Sequence, residues 1–343
     1  MLISETWLRE YVDPAIDARD LAHQMTMAGL EVESIHILSG DFENVVVAEI
    51  VSVVSHPNSE KLKICEVDAG DDEQFSVICG APNAVAGLRV PFAPVGASLP
   101  GGIYIKAIEL RGVLSAGMLC AEKELGISDS DEGLMELSPE APLGEDLKIY
   151  LDLEDNLFEL GLTPNRADCL SVRGVAREVA ALNGISAKEM DSLDVPSTHR
   201  EKFPIRLDAS DFCPIYVGRI INDVDLTRAT PVWMRERLRR SGIRSINAAV
   251  DITNYVMLEL GQPMHAFDFA LLSGGIVVRK AKLDEELVLL NESKVVLNSD
   301  TTVIADEKGA LALAGIMGGQ ASAVTQDTTS IFLEAAFFVP EKI

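Results

Sequence analysis

The sequence predicts a multidomain α+β protein with a small β-barrel set between helix-bearing segments. Three observations carry that expectation. The chain has 343 residues, more than one ordinary hydrophobic core serves, so two to three domains are expected. Its hydrophobic content of 48% supplies ample apolar material for folded domains. From residue 41 to residue 150, short β-branched runs alternate with Gly, Pro and Asp turns, whereas capped amphipathic runs stand on either side.

Taken in order, Ser4 is placed to cap a helix over "ETWLREYV", which Pro14 ends, and Asp17 to cap a second, with Asp20 in the capping-box position. Leu21, Met25 and Ala28 share a face of that second helix and Gly29 stops it; "LEVESIHIL" then alternates as a strand. Five strands are expected next: "VVVAEIVSVV", "KICEVDAG", "QFSVICG", "LRVPFAPVGASL" and "YIKAIELRG". Such a set suits a small barrel, although periodicity alone leaves an OB-type barrel and a sandwich both open. A strand at "NLFELGLT" leads through "TPNRADC" into a helix with Val172, Val175, Val179 and Leu182 inward and Gly184 as its stop. The polar stretch around residues 185–202 reads as a linker. Beyond it come a strand at "YVGRIINDVD", a helix from Thr230-Pro231, a second helix over "NAAVDITNYVMLELG", and several strands ending in "SIFLEAAFF". "FFVPEKI" runs to Ile343 without a stop signal, so this last domain is expected to be cut short.

Composition excludes several classes. No apolar run is long enough for a bilayer helix, and the N-terminus has no basic region followed by an apolar one, so a cytoplasmic protein without a membrane role is expected. The five cysteines are scattered with no C-x-x-C pair, which argues for reduced thiols and against zinc. A net charge of −25 works against non-specific attraction to nucleic acid, so any RNA contact must rest on a local patch or on a partner. "LAGIMGGQ" lacks dinucleotide-loop spacing. "SDSDEG", with Asp129 and Asp131, brings Gly133 one residue too early for a calcium loop and reads as a solvated turn.

Two residues stand out as candidates for chemistry. His265, in "GQPMHAFD", is one of five histidines; it follows a predicted helix and is expected to sit in a turn made by Gly and Pro. It has no second histidine at metal-binding spacing. Its bland reading is a hydrogen-bonded structural residue; a hydrolytic role needs polar companions, for which Arg244, Asn254 and Glu334 are candidates. Glu334 sits inside "IFLEAAFF", where a carboxylate is costly unless a site or a partner solvates it. The bland reading there is an outward-facing edge position.

"HPNSEKLKICEVDAG", "GAPNAVAG" and "LRGVLSAGMLCAEKELG" resemble the tRNA-binding OB domain. Lys61, Lys63, Arg89, Lys106 and Arg111 are the basic candidates for tracking an RNA backbone there. The flanks, "SETWLREYVD", "LAHQMTMAGLEVES", "LTPNRADCLSVRGVAREVAAL" and above all "GIRSINAAVDITNYVMLELGQPMHAFD", are similar to the β subunits of bacterial phenylalanyl-tRNA synthetases, and the likeness runs along essentially the whole chain. That resemblance implies a discontinuous structural domain over 1–40 and 151–190, an inserted five-stranded OB-fold barrel over 41–150, a linker over 191–200, and an α+β editing domain over 201–343 that is incomplete at its C-terminus. It further implies an α-subunit partner in a heterotetramer of two α and two β chains, tRNA as a second partner, and ATP and Mg²⁺ as cofactors of the complete synthetase but none of this chain. The aminoacylation site would lie on the α subunit. His265, Glu334, Arg244 and Asn254 would serve hydrolysis of mischarged Tyr-tRNA, with Gly315 and Gly318 as pocket wall and residues shortly beyond 343 lining the same pocket. The competing expectation is a non-enzymatic tRNA-binding or assembly module.

Overall fold

The computed structural model describes residues 1–38, 40–70, 74–127, 133–190 and 194–343. Asp129 and Asp131 of the solvated-turn expectation, and the start of the expected linker at 191–193, lie outside the described residues. The chain forms two compact units: residues 35–157, and residues 1–34 with 158–343. Among the described residues no helix is long and apolar enough to cross a membrane.

The unit over 35–157 is built on an antiparallel five-stranded sheet in the order Gly117–Leu119, Arg89–Pro94, Val46–Ser55, Lys63–Asp68, Gln74–Cys79. Alternation directs Ile50, Cys65, Val67, Val77, Val90 and Phe92 into one core, the period-2 pattern of strands with one buried face. The segment 115–119 nearly closes the barrel. Its last three residues pair with Arg89–Pro94, while the Ala116 N–H donates to Ser76 O at 2.9 Å on the opposite edge. Gly117 permits that closure, since a Cβ there would lie 2.4 Å from the Phe92 ring.

Two strand expectations change. "LRVPFAPVGASL" breaks at Gly96, whose φ of +97° turns the chain, so Arg89–Pro94 and Ser98–Leu99 are separate strands. "YIKAIELRG" is not the fifth barrel strand. It supplies halves of two short hairpins, Ser98–Leu99 with Ile103–Tyr104 and Ile108–Leu110 with Val113–Ser115. Gly101, Gly102 and Gly112 at positive φ favour these tight reversals over a long strand.

The helices Ala18–Met27 and Val172–Asn183 belong to the other unit, and the strands Leu2–Ser4, Asp155–Gly161 and Glu31–Leu38 form a three-stranded sheet. The caps follow expectation: Ser4 accepts from Trp7 N, Asp17 from Asp20 N, and Gly29 and Gly184 take positive φ. Leu182 does not point inward. It is 38% exposed, because Ala176 and Ala180 rotate the buried face of that helix away from it. Trp7 stacks on Tyr255 with centroids 5.1 Å apart, and the Tyr11 hydroxyl donates to Glu259 at 2.6 Å. These contacts bind the helix Glu5–Arg9 and the turn after it to the helix Ala248–Leu260.

Two larger sheets follow, beside a two-stranded one of Glu285–Val288 and Lys294–Leu297. One has five strands in the order Ile205–Leu207, Ile276–Lys280, Thr302–Ala305, Ala310–Leu313, Met317–Gly318; the other has three, Ile215–Asn222, Ser330–Phe337, Met264–Asp268. Phe267, Phe332, Ile276, Val278 and Ile304 join them in one core. The helices Val232–Arg240 and Ala248–Leu260 begin where the sequence predicts, the second with Asn247 accepting from Val250 N. Asp251 is fully buried and accepts from Thr230 Oγ1, Ser245 Oγ and Ile246 N at 2.5, 2.5 and 2.8 Å. That carboxylate locks the loop before the helix, a structural use of a buried charge.

Candidate functional site

His265 lies on a strand, not in the turn. Gly261, with φ of +78°, ends the helix; Gln262 and Pro263 reverse the chain; and the strand Met264–Asp268 begins immediately. That strand runs antiparallel to Ser330–Phe337 in a register that sets His265 directly opposite Glu334. Glu334 has Gly218 opposite it on its other side. Directly paired residues share a face of a sheet, so imidazole and carboxylate stand side by side on the core-facing surface, at its open end.

Both line one cavity of about 530 Å³ between the two sheets, within the range of small-ligand sites. They are the two ionisable side chains among its described lining residues; Ile304, Ala312, Met317, Phe338 and similar groups make much of the rest apolar, and Gln262 adds a neutral polar side chain. Gly315 and Gly318 form part of the wall. A Cβ on Gly318 would lie 2.5 Å from His265 Cε1, so the wall touches the imidazole only because that residue is glycine. Gly315 takes φ of +70°, a turn conformation that L side chains rarely adopt.

The electrostatics are set by burial. Glu334 is 7% exposed and its Oε2 is buried without a hydrogen-bond partner. Burial raises its carboxyl from 4.5 to about 7, opposed by the nearby Tyr216 hydroxyl. Desolvation lowers His265 from 6.5 to about 4. The imidazole is only half-buried as a whole, yet its Nε2 is fully buried and unpartnered. The ring packs edge-on against Phe267 at 4.5 Å. At neutral pH the pair is thus a neutral histidine beside a carboxyl poised between its two forms.

Arg244 and Asn254 are not brought to this cavity. Arg244 is exposed in the loop between the two helices, and Asn254 is half-buried on Ala248–Leu260; neither is among the described lining residues. Tyr216 is the residue that sequence reading missed. It pairs with Ala336, two residues along from Glu334, on the same sheet face. Its hydroxyl is also buried without a full hydrogen bond, and its pKa is raised by burial and then by the adjacent Glu334. Alternation along "IYVGRII" placed it inward, but nothing local marked its polar tip.

The barrel's basic candidates divide into two sets. Lys63 Nζ donates to Pro82 O and Ala84 O at 3.1 and 2.9 Å, and Arg89 pairs with Glu49 at 3.1 Å and donates to Ala141 O. Those two are held by the barrel itself. Lys61, Lys106 and Arg111 are exposed. Arg111 exchanges hydrogen bonds with Asn58, and His56 Nε2 meets Leu110 O at 3.1 Å. The loop leading to Lys61 is therefore fastened to the turn that carries Arg111. The described residues bring one set of potential metal donors together, Asp168, Cys169 and Glu178. The Arg166 guanidinium already occupies it, pairing with Asp168 and Glu178 at 3.2 and 2.9 Å.

Fold and site together define a chain that carries a nearly closed five-stranded barrel and, in its other unit, a cavity bearing a carboxylate and an imidazole. Residues 45–146 match the putative tRNA binding domain family and residues 212–343 match the B3/4 domain family. Over its whole length the chain is 51% identical to the phenylalanine–tRNA ligase β subunit of Yersinia pestis and 55% identical to that of Aromatoleum aromaticum. Over 98% of its length it is 53% identical to that of Pseudomonas fluorescens. The chain is similar to these β subunits along essentially its whole length, and it spans 43% of the length of these curated relatives.

Proposed function

We propose that this chain serves a phenylalanine–tRNA ligase by hydrolysing tRNA mischarged with tyrosine, while the complete enzyme joins phenylalanine to its tRNA with ATP and Mg²⁺. In this reading residues 201–343 are the editing domain, residues 41–150 an OB-fold tRNA-binding domain, and residues 1–40 with 151–190 a discontinuous structural domain. The partners are tRNA and a catalytic α subunit, in a cytoplasmic heterotetramer of two α and two β chains. The one cluster of three donors among the described residues, Asp168, Cys169 and Glu178, does not suit Mg²⁺, because the Arg166 guanidinium already pairs with its carboxylates. ATP and Mg²⁺ belong, in this reading, to the complete synthetase.

One observation carries the proposal: a buried carboxylate and a buried imidazole nitrogen, each with an unsatisfied polar atom, side by side in a largely apolar cavity of about 530 Å³. Buried polar atoms without partners mark a place where a ligand completes the set. A tyrosyl side chain fills the apolar part and its hydroxyl meets Glu334. A phenylalanyl side chain would leave that carboxylate unpaired, a penalty of about 1–3 kcal/mol. An apolar synthetic pocket rejects an added hydroxyl only about a hundredfold, so a second pocket that requires the hydroxyl supplies what the first lacks. His265, neutral at pH 7, orients the attacking water. Water adds to the ester carbonyl, the bond to the ribose oxygen breaks, and free tyrosine and tRNA leave. Arg244 and Asn254, outside the cavity lining, take no step in this scheme. Lys61, Lys106 and Arg111 are the exposed cations offered to the tRNA backbone; Lys63 and Arg89 support the barrel.

The test is deacylation of Tyr-tRNA and Phe-tRNA by the complete enzyme. Glu334→Ala should reduce the preference for Tyr-tRNA about ten- to a hundredfold, the worth of a charge-assisted hydrogen bond. His265→Ala should slow hydrolysis and leave the preference largely intact, with phenylalanine charging retained in both. Hydrolysis of Tyr-tRNA at the unmodified rate and preference by both variants would remove the assignment.

A further inference from the structure

The buried hydroxyl of Tyr216 has no role in that scheme, and its placement gives it one. Tyr216 and Glu334 lie on adjacent antiparallel strands, on one face, in diagonal register. Gly218 stands directly opposite Glu334 and has no side chain; a Cβ there would strike the Phe332 ring at 2.1 Å. No Gly218 side chain therefore stands between the phenol and the carboxylate. Tyr216 is 8% exposed and Glu334 7%. The Tyr216 hydroxyl and Glu334 Oε2 are both buried and both lack a fully formed hydrogen bond, yet they are close enough for the hydroxyl to favour the ionised carboxylate. Two adjacent orphaned atoms, one a donor and one an acceptor, need only a small rotation to satisfy each other.

We propose that Tyr216 is a positioning residue for the editing pocket: its hydroxyl donates to one lone pair of the buried Oε2 of Glu334 and so holds that oxygen's remaining lone pair toward the hydroxyl of a bound tyrosyl group. The inference rests on the editing function proposed above. A carboxylate accepts several hydrogen bonds at once, so internal donor and ligand act together. The internal donor favours the ionised carboxylate and fixes it in one rotamer before the ligand arrives, which is preorganisation in the sense that matters for selectivity. The groups that face Glu334 are Tyr216 and Cys213 on one side and His265 on the other. His265 is neutral above about pH 4, and burial pushes the Cys213 thiol up to about 11. Around pH 7, then, Tyr216 is the one of these groups whose removal changes how readily Glu334 ionises.

Tyr216→Phe deletes only the hydroxyl and keeps the ring in the core. In this chain, the infrared carboxyl band that Glu334→Gln removes should titrate about one pH unit higher in Tyr216→Phe, as loss of a hydrogen bond to a charged group implies. In the complete enzyme, kcat/KM for Tyr-tRNA hydrolysis at pH 7 should fall about fivefold, as the ionised fraction drops from about a half to about a tenth. Raising the pH to about 8.5 should restore it, because the carboxyl is then ionised again. A structural defect would persist at every pH. In a Glu334→Gln background the Tyr216→Phe change should be silent. An unmoved band, or a loss in hydrolysis that pH does not recover, overturns the inference. If the unmodified enzyme leaves Tyr-tRNA intact, or if Glu334→Gln leaves the Tyr/Phe preference unaltered, the editing assignment itself falls and this inference falls with it. If both of those hold and Tyr216→Phe keeps the unmodified pH profile, this inference alone fails.

Discussion

Glu334→Gln is the change that reads the site's electrostatics without any substrate. Burial raises the Glu334 carboxyl from 4.5 to about 7, about two and a half units, or about 3 kcal/mol at 1.36 kcal/mol per unit. The folded state keeps this proton between about pH 4.5 and 7, whereas the unfolded chain releases it. The contribution is therefore fully present below 4.5 and lost as pH rises through 7. His265 runs the other way. Its folded value of about 4 lies below the ordinary 6.5, so its contribution is present above 6.5 and is lost as pH falls toward 4. Between about 4.5 and 6.5 the two slopes oppose each other and nearly cancel. The amide that replaces the carboxyl in this variant has no proton to lose, so the variant should show the histidine slope alone. It should match the unmodified chain near pH 4.5 and exceed it by up to about 3 kcal/mol above pH 7. Urea unfolding followed by tryptophan fluorescence measures this cleanly, because both tryptophans, Trp7 and Trp233, belong to the same compact unit as Glu334. A stability difference between variant and parent that stays constant from about pH 5 to about pH 8.5 would refute the reasoning: the carboxylate would then be solvated, and its burial would not be what sets its charge.

Two further outcomes follow from the geometry. Gly318→Ala puts a methyl group 2.5 Å from His265 Cε1, so it should slow Tyr-tRNA hydrolysis at least about tenfold by displacing the imidazole, with phenylalanine charging by the complete enzyme as the internal control. In the barrel, Lys61→Ala combined with Arg111→Ala should weaken tRNA binding at low salt and flatten its salt dependence by about two ions; Lys63→Ala should instead lower the melting temperature, since its ammonium holds two loop carbonyls, and the assignment of exposed and structural cations fails if filter binding and melting curves show the reverse.

Much of the fold was legible because its signals are local. Ser4, Asp17, Ser171 and Asn247 each cap the helix that follows them, and a cap needs only the next three residues to be recognised. Gly29, Gly184 and Gly261 end helices at positive φ for the same reason. What failed was non-local. The fifth barrel strand is Gly117–Leu119, only three residues long, and it is a strand because Arg89–Pro94 offers it an edge, not because its own composition demands extension. Leu182 misled because a spacing of three or four residues fits either flank of a helix, and the alanines at 176 and 180 decide which flank packs. His265 was visible as a residue out of place, but its strand begins with the residue before it, a boundary finer than sequence patterns resolve.

The site was legible as two anomalies and illegible as a pair. Glu334 is conspicuous within "IFLEAAFF", yet the antiparallel register that sets it beside His265 joins positions about seventy residues apart, and no local rule fixes such a register. Tyr216 reaches the pair from a third strand in the same way. Once the register is known, the energetics connect to the proposed function. The cost of ionising Glu334 in its buried setting, about 3 kcal/mol, is also the ceiling on what a ligand hydroxyl can recover by satisfying it. That ceiling corresponds to about a hundredfold in preference. A synthetic pocket limited to about a hundredfold against an added hydroxyl, followed by a second of this strength, reaches about 10⁴, the accuracy that small side-chain differences demand. A more solvated carboxylate would stabilise the fold and lose the discrimination. On this reading the instability measured by Glu334→Gln and the selectivity measured by Glu334→Ala are one quantity, seen first without substrate and then with it.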